Sequence, residues 1–333
     1  MLSMEKELEL FDISDFANSV PRENFADEYE NNNYEPAGPK TALVAIIGRP
    51  SSGKSTFLNT ASGEPVSIVS PIPQTTRNAI KGIVNTSFGQ LVFVDTPGYH
   101  VSEKKLNLKL QQIAKDQIEA AECLLYVIDS TREIGEEEQM TAELIKPYSD
   151  KAVVAINKID IAGTKPEHVK KFVKSTLPQI PEERIVNTSA KNDIGINDVL
   201  KALYDLAPEA PHLYPEEYYT DQEVGFRIAE VVRGQAINRL TDEIPHALYV
   251  DISDMEFKKG GKELWVRAFL CVERDSQKGI VIGKGASMIK TIRVESIKEL
   301  RKIFDYRIDL DLQVKVVKNW RQRDPILNKL MNS

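Results

Sequence analysis

Cysteine is almost missing from this chain: Cys123 and Cys271 are the only two in 333 residues, and each sits inside an apolar run. Two such thiols do not make a disulfide framework, so the expectation is two buried small hydrophobes in a protein of a reducing compartment. Long apolar stretches are also absent; none approaches the roughly 20 residues that a membrane span requires. The amino end, Met1-Leu2-Ser3-Met4-Glu5-Lys6-Glu7, is acidic and lacks the pattern of a signal peptide. Internal repeats are missing as well. These absences point to a cytoplasmic protein.

What is present is ordinary globular composition, at a length that suits about two domains with a sizeable core. The net charge of −7 is unevenly spread. Residues 1–40 hold ten acidic and three basic residues, whereas 223–333 hold 21 basic against 16 acidic. An acidic front and a basic back make a nucleic-acid partner for the carboxyl-terminal part worth considering.

Residues 1–40, rich in Glu, Asp and Asn, cannot bury enough apolar surface to offset ordering entropy and read as a largely disordered extension. Within it, Leu8-Glu9-Leu10-Phe11-Asp12-Ile13 has the pattern of a short amphipathic docking element. From 41 to 207, strand-like runs at 42–47, 91–94, 123–128, 152–156 and 185–187 alternate with helical patterns at 54–61, 105–120, 136–147, 166–176 and 196–206. That alternation predicts a doubly wound α/β domain with a mainly parallel sheet and the ligand at the carboxyl ends of the strands. Residues 79–87 are the expected exception, an edge strand antiparallel to 89–95. Pro208, Pro211 and Pro215 mark a linker over 208–222. Beyond it, 223–240 reads as helix, 247–254 and 263–273 as strands, 287–304 as helix and 308–318 as strand, a small α+β module within 223–330.

The chemistry is carried by short motifs at strand ends. Gly48-Arg49-Pro50-Ser51-Ser52-Gly53-Lys54-Ser55 follows the apolar run Ala42–Ile47 and leads into Thr56-Phe57-Leu58, the start of a helix. A strand, a glycine-bounded loop, Lys-Ser and a helix form the context of a phosphate-binding loop. Backbone N–H groups turn inward, the helix dipole favours an anion, Lys54 reaches the β- and γ-phosphates and the Ser55 hydroxyl binds Mg²⁺. Asp95-Thr96-Pro97-Gly98 closes the run Leu91–Val94; its carboxylate suits a Mg²⁺ held through water, and the Gly98 N–H meets a γ-phosphate. Between them, Pro73-Gln74-Thr75-Thr76-Arg77 offers a threonine, Thr76 in preference to Thr75, to complete the metal shell and sense the γ-phosphate. Asn157-Lys158-Ile159-Asp160 follows another apolar run, and its carboxylate pairs with guanine N1–H and N2–H₂, which adenine does not offer. Ser189-Ala190-Lys191 adds a backbone N–H for guanine O6. Together these motifs specify GTP, with Lys54, Thr76 and Gly98 nearest the reacting phosphate. Tyr99 follows the Asp-Thr-Pro-Gly, where Ras-like enzymes carry a water-orienting glutamine, so slow intrinsic hydrolysis is expected.

Gly283-Lys284-Gly285-Ala286 before a helix places backbone N–H groups where phosphates of single-stranded RNA approach closely, beside an apolar groove that includes Ile282. Lys278, Lys284, Lys290 and Arg293 cluster about this loop. Farther on, Lys315, Lys318, Trp320, Arg321 and Arg323 interleave charge with an aromatic. Trp320 is equally well read as a base-stacking platform or as a packing residue.

With Gly-Arg-Pro-x-x-Gly-Lys-Ser-Thr, Pro-Gln-Thr-Thr-Arg, Asp-Thr-Pro-Gly-Tyr-His, Asn-Lys-Ile-Asp and Ser-Ala-Lys, the chain closely resembles the Era family of bacterial GTPases over residues 41–330. Glu243-Ile244-Pro245-His246 and the 279–285 loop look like the family's KH domain. The resemblance implies a Ras-like P-loop NTPase domain followed by an α+β type II KH domain. It further implies a switch GTPase using GTP/GDP and Mg²⁺, binding the 3′ end of 16S ribosomal RNA and assisting 30S maturation, with peripheral membrane association in some members. A monomer is expected. Two positions depart from the family pattern. Ser51 stands where the family usually has an Asn that in related GTPases supports a potassium ion, which leaves potassium dependence open. Ala286 stands at the second glycine of the KH loop, with Gly285 placed to absorb an unusual torsion. With Tyr99, these departures motivate a second reading, an RNA-binding scaffold with negligible turnover; a third is a GTPase acting on membrane or protein partners.

Overall fold

The computed structural model describes residues 39–69, 80–96 and 105–331. The acidic extension lies outside the described residues save for Pro39 and Lys40. In the first domain, β1 (Lys40–Ile47), β3 (Gly89–Asp95), β4 (Cys123–Asp129), β5 (Ala152–Asn157) and β6 (Ile185–Asn187) join β2 (Ile80–Thr86) in one sheet. The order is β2-β3-β1-β4-β5-β6, with β2 antiparallel to β3 and all other pairs parallel. β3, β4 and β5 are buried along their whole length, as expected of strands covered on both faces. One face is covered by α1 (Lys54–Ser62) and α5 (Ile196–Leu206), through Phe57, Leu58, Val199, Leu200 and Leu203. The other is covered by α2 (Lys105–Ala120), α3 (Glu136–Ile145) and α4 (Pro166–Thr176), through Ile118, Ala142, Ile145, Val169 and Val173. Registers Ile46↔Asp95 and Asp129↔Asn157 bring the carboxyl ends of the strands to one edge, which is where the motifs sit.

The stretch read as a linker is stitched along the sheet. Gln90 is buried; its Oε1 accepts from the N–H groups of Leu213 and Tyr214, both at 2.9 Å, and its Nε2 donates to Tyr214 O at 2.8 Å. Ile83 N donates to Tyr219 O at 2.9 Å, and Lys81 Nζ meets Asp221 Oδ2 at 2.8 Å. Residues 208–222 therefore form a strap over the β2 edge; the prolines bar a helix without freeing the chain.

The second domain begins with α6 (Val224–Ile237) and the short α7 (Ile244–Ala247), followed by β7 (Tyr249–Lys258) and β8 (Glu263–Val272). Then come α8 (Asp275–Ile282), α9 (Ser287–Ile303), β9 (Arg307–Val316) and α10 (Asp324–Met331). β8 runs antiparallel to β7 and parallel to β9. Its alternate residues Leu264, Val266, Ala268 and Leu270 meet Ile228, Val232, Ile292 and Leu300 in one core. α8 was not foreseen because Gly279 interrupts its pattern; Gln277 Oε1 secures its start by accepting from the N–H groups of Glu273 and Arg274 at 3.0 and 3.1 Å. Both cysteines are free and buried; burial pushes Cys123 up to about 12 and Cys271 up to about 11.

Trp320 is fully buried, which corrects its reading as a stacking platform. It packs with Tyr249, Cys271 and Leu327, 4.8 Å from the Tyr249 ring, and its indole N–H donates to Ala247 O at 2.9 Å. It anchors α10 to the outer face of the sheet. Trp320→Ala is expected to lower unfolding free energy by about 3–5 kcal/mol in urea titrations, the usual cost of emptying such a site. RNA affinity per folded molecule should stay unchanged in Trp320→Phe.

Candidate functional site

The loop 48–55 leaves β1 at the carboxyl edge and enters α1 without a side-chain cap, so the first-turn N–H groups face the loop interior. Gly53 sits at φ 102°, and a Cβ there would lie 2.2 Å from Asn157 Nδ2, so glycine is required on both counts. Lys54 is buried and its ammonium donates to Gly48 O and Arg49 O, each at 3.0 Å. Burial lowers its pKa, against the opposing pull of Asp95 and Glu138. Such a cation is poised for a phosphate, which would replace neutral carbonyls with negative charge.

Asp95 is wholly buried at the end of β3, and its Oδ2 accepts from Ser55 Oγ at 2.6 Å and Ser67 Oγ at 2.8 Å. Thr96 Oγ1 donates to Ile46 O at 2.7 Å, fixing the strand end beside the loop. A hydroxyl and one carboxylate are hard oxygen donors, a set that fits Mg²⁺, which keeps waters and takes substrate phosphates as its other ligands. Ser55 would hold such an ion directly and Asp95 through water. Thr76 and Gly98, expected to complete this end, lie outside the described residues, as do Thr75 and Tyr99.

At the base end Asn157 is a hub. Its Nδ2 donates to Ser52 O at 3.0 Å, and its Oδ1 accepts from Ala190 N at 2.9 Å and Thr188 Oγ1 at 3.3 Å. The Ala190 N–H, within the motif expected to offer a backbone N–H to guanine O6, is thus used to tie two motifs together. Lys158 Nζ donates to Ser51 O at 2.8 Å and Asp129 Oδ2 at 2.7 Å. Asp160 is exposed, and its Oδ1 accepts from Ser189 Oγ at 2.6 Å, which orients the carboxylate for a purine edge. Pro50 is buried, Thr56 half-buried and Lys191 exposed. The Arg49 side chain turns away to α3, with Nε 3.1 Å from Glu137 Oε2 and Nη1 3.4 Å from Glu138 Oε2, so the loop interior receives only its backbone.

Sequence reasoning missed Asp129, although a carboxylate closing an apolar strand is the signal that singled out Asp95. Burial pushes the Asp129 carboxyl up, but Lys158 and the Thr131 hydroxyl and N–H more than reverse this and hold it below the ordinary carboxylate range.

The second candidate site is the loop between α8 and α9. Gly283, Gly285 and Ala286 have φ of 75°, 60° and 61°. Gly285 therefore does not spare Ala286, which itself adopts the left-handed conformation. Lys284 and Lys290 are exposed, Lys278 and Ile282 half-buried, and all four flank this loop, while Lys318 is exposed beyond β9. Two expected contact residues are engaged elsewhere: Arg293 donates to Leu310 O and pairs with Asp309 at 3.6 Å, and Arg321 pairs with Glu273.

Residues 43–158 match the family model described as 50S ribosome-binding GTPase, and residues 243–321 match that of the KH domain. GTPase Era of Treponema denticola is 60% identical over 290 residues, covering 87% of this chain and 99% of that protein. GTPase Era of Borreliella burgdorferi is 44% identical over 293 residues, covering 88% of this chain and 100% of its own length. Two solved structures at 32% identity each cover 88% of this chain and 98% of theirs: Aquifex aeolicus Era bound to GDP.AlF4-, with a TM-score of 0.83, and Era with MgGDPNP and nucleotides 1506–1542 of 16S ribosomal RNA, at 0.82.

Asp129→Asn should weaken guanine-nucleotide affinity about tenfold in calorimetric titration, a loss of about 1.4 kcal/mol, because Lys158 loses the charge that aims it at the loop. Ala286→Gly should raise stability by up to about 1 kcal/mol in thermal unfolding, since it removes a left-handed Cβ at some cost in unfolded-chain entropy.

Proposed function

This chain belongs to the Era family of GTPases, and on that premise we propose that it is a Mg²⁺-dependent nucleotide switch whose KH domain binds the 3′ end of small-subunit ribosomal RNA and assists 30S maturation. The observation that carries the reading is the pairing, in one chain, of a braced guanine-nucleotide site with an exposed lysine-flanked KH loop. A structural neighbour covering the same share of the chain was solved with MgGDPNP and a 16S fragment, which supports both halves of it.

In the GTP complex, Lys54 leaves the Gly48 and Arg49 carbonyls for the β- and γ-phosphates, and the loop N–H groups line the same oxygens. Ser55 directly and Asp95 through water would hold Mg²⁺, which would supply charge neutralisation. Asp160 accepts from the guanine edge, and Lys158 keeps the loop in register with the base. Thr76 and Gly98 serve the γ-phosphate. Hydrolysis is slow in the isolated protein, because Tyr99 brings no amide to orient water. In the KH domain, backbone groups of 283–286 approach phosphates while Lys278, Lys284 and Lys290 neutralise the strand.

The test is binding of an oligonucleotide matching that 3′ end, with a non-hydrolysable GTP analogue and with GDP. Salt-dependent, analogue-favoured binding that weakens about tenfold in Lys284→Ala is the expected result. Loss of all RNA binding in both states would sink the RNA half. Phosphate release that stays negligible with and without 30S subunits would favour the scaffold reading.

A further inference from the structure

Past α1 the chain doubles back onto it. Asn59 is buried; its Oδ1 accepts from the N–H groups of Val66 and Ser67 at 3.0 and 2.8 Å, and its Nδ2 donates to Ser67 O at 2.8 Å. Residues 66 and 67 are thereby clamped to the helix that opens with Lys54 and Ser55. From this clamp the Ser67 hydroxyl reaches Asp95 Oδ2, the same oxygen that accepts from Ser55. Ile68 follows immediately and lies against the last turn of α6, where a Cβ on Gly234 would stand 3.2 Å from Ile68 Cγ2. Gln222, just before α6, donates from Nε2 to Val66 O at 3.1 Å. Three consecutive residues thus run from the metal-facing carboxylate to the first helix of the second domain.

Among the described residues, the joint they enter is incompletely filled. Beside Ile68 and Gly234 lies a cavity of about 100 Å³ that Arg227, Asn238 and Glu299 also line. Arg227 Nη2, Asn238 Oδ1 and Glu299 Oε2 are buried there and have no hydrogen-bond partner among the described residues. A polar space of this size has room for water, which would exchange hydrogen bonds if α6 moved over residues 66–69. A tight apolar interface would resist such movement.

We propose that residues 66–68 set the placement of the KH domain according to the nucleotide, with Ser67 as a positioning residue and Ile68 against Gly234 as the transmitting contact. The carboxylate oxygen is shared by two hydroxyls, so a change in what Ser55 faces alters the bond that Ser67 makes. Because Asn59 holds Val66 and Ser67 rigidly, a shift at Ser67 reappears at Ile68. The proposal rests on the chain being a nucleotide switch, and it is independent of what the KH domain binds.

The test is energy transfer between dyes on the two domains of the full chain, attached at Glu167→Cys and Lys262→Cys, both exposed positions. The native thiols are buried and do not compete for label. Transfer is compared at saturating GDP and saturating GTP analogue with Mg²⁺, so altered nucleotide affinity does not enter. The expected result is a nucleotide-dependent change in the parent that shrinks by roughly half or more in Ser67→Ala and in Gly234→Ala. The two substitutions combined should do no more than the larger alone, as expected of one path. Gly234→Ala, remote from the nucleotide, should keep parental GTP affinity while losing the response. A full response in both variants would overturn the path while leaving the switch standing. No response in the parent would overturn both.

Discussion

A phosphate-binding loop must keep most of its N–H groups free for the anion, so its shape is held mainly by something other than its own amides; one of them, Ser52 N–H, donates within the loop to Arg49 O at 3.2 Å. Here the bracing falls on the carbonyls. Asn157 holds Ser52 O, Lys158 holds Ser51 O, and Lys54 gathers Gly48 O and Arg49 O. With carbonyls tied to side chains, the peptide planes are turned so that the opposite edges face inward. The Asn157-to-Asp160 motif therefore does two jobs: Asp160 presents a carboxylate held by Ser189, while its neighbours Asn157 and Lys158 shape the loop at 48–55. Asp129 makes the second job possible by giving the Lys158 ammonium a buried counter-charge.

This dependence explains what was legible in the sequence. Strand-end motifs are local in the chain, so the six-stranded sheet and the positions of Gly53, Lys54, Asp95 and Asp160 could be read directly, down to the antiparallel edge strand. Partnerships across elements could not. That the Ala190 N–H would be used by Asn157, 33 positions away, follows from the packing of β5 beside β6 and leaves no pattern in sequence. The Gln90 side chain, 123 residues from Leu213, turns a proline-broken segment into a strap, and Asn59 makes a clamp of an apparently plain helix residue. Trp320 shows the same limit: flanked by Lys318, Arg321 and Arg323, it has the local pattern of a nucleic-acid contact, yet Ala247 O, 73 residues away, takes its only polar atom.

The KH loop illustrates a different limit. The sequence marked the loop before α9 as a phosphate-approaching turn, with Gly285 placed to absorb an unusual torsion beside Ala286. The backbone instead keeps positive φ at three of the four loop positions, Gly283, Gly285 and Ala286, where the chain passes from α8 to α9. Alanine tolerates the left-handed region at a cost of about 1 kcal/mol, small beside the burial of α9 against the sheet. The methyl group therefore changes the surface offered to a phosphate more than it changes the fold.

Charge placement gives the second domain its direction. Of the cations expected on the RNA side, Arg293 and Arg321 are bound to Asp309 and Glu273, whereas Lys278, Lys284 and Lys290 remain around the loop. The planar guanidinium groups are thus used in fixed pairs within the fold. The lysines keep flexible stems and compact charge, which suits a backbone that is held by charge and read by its bases. The neutralising lysines would contribute affinity whatever the sequence.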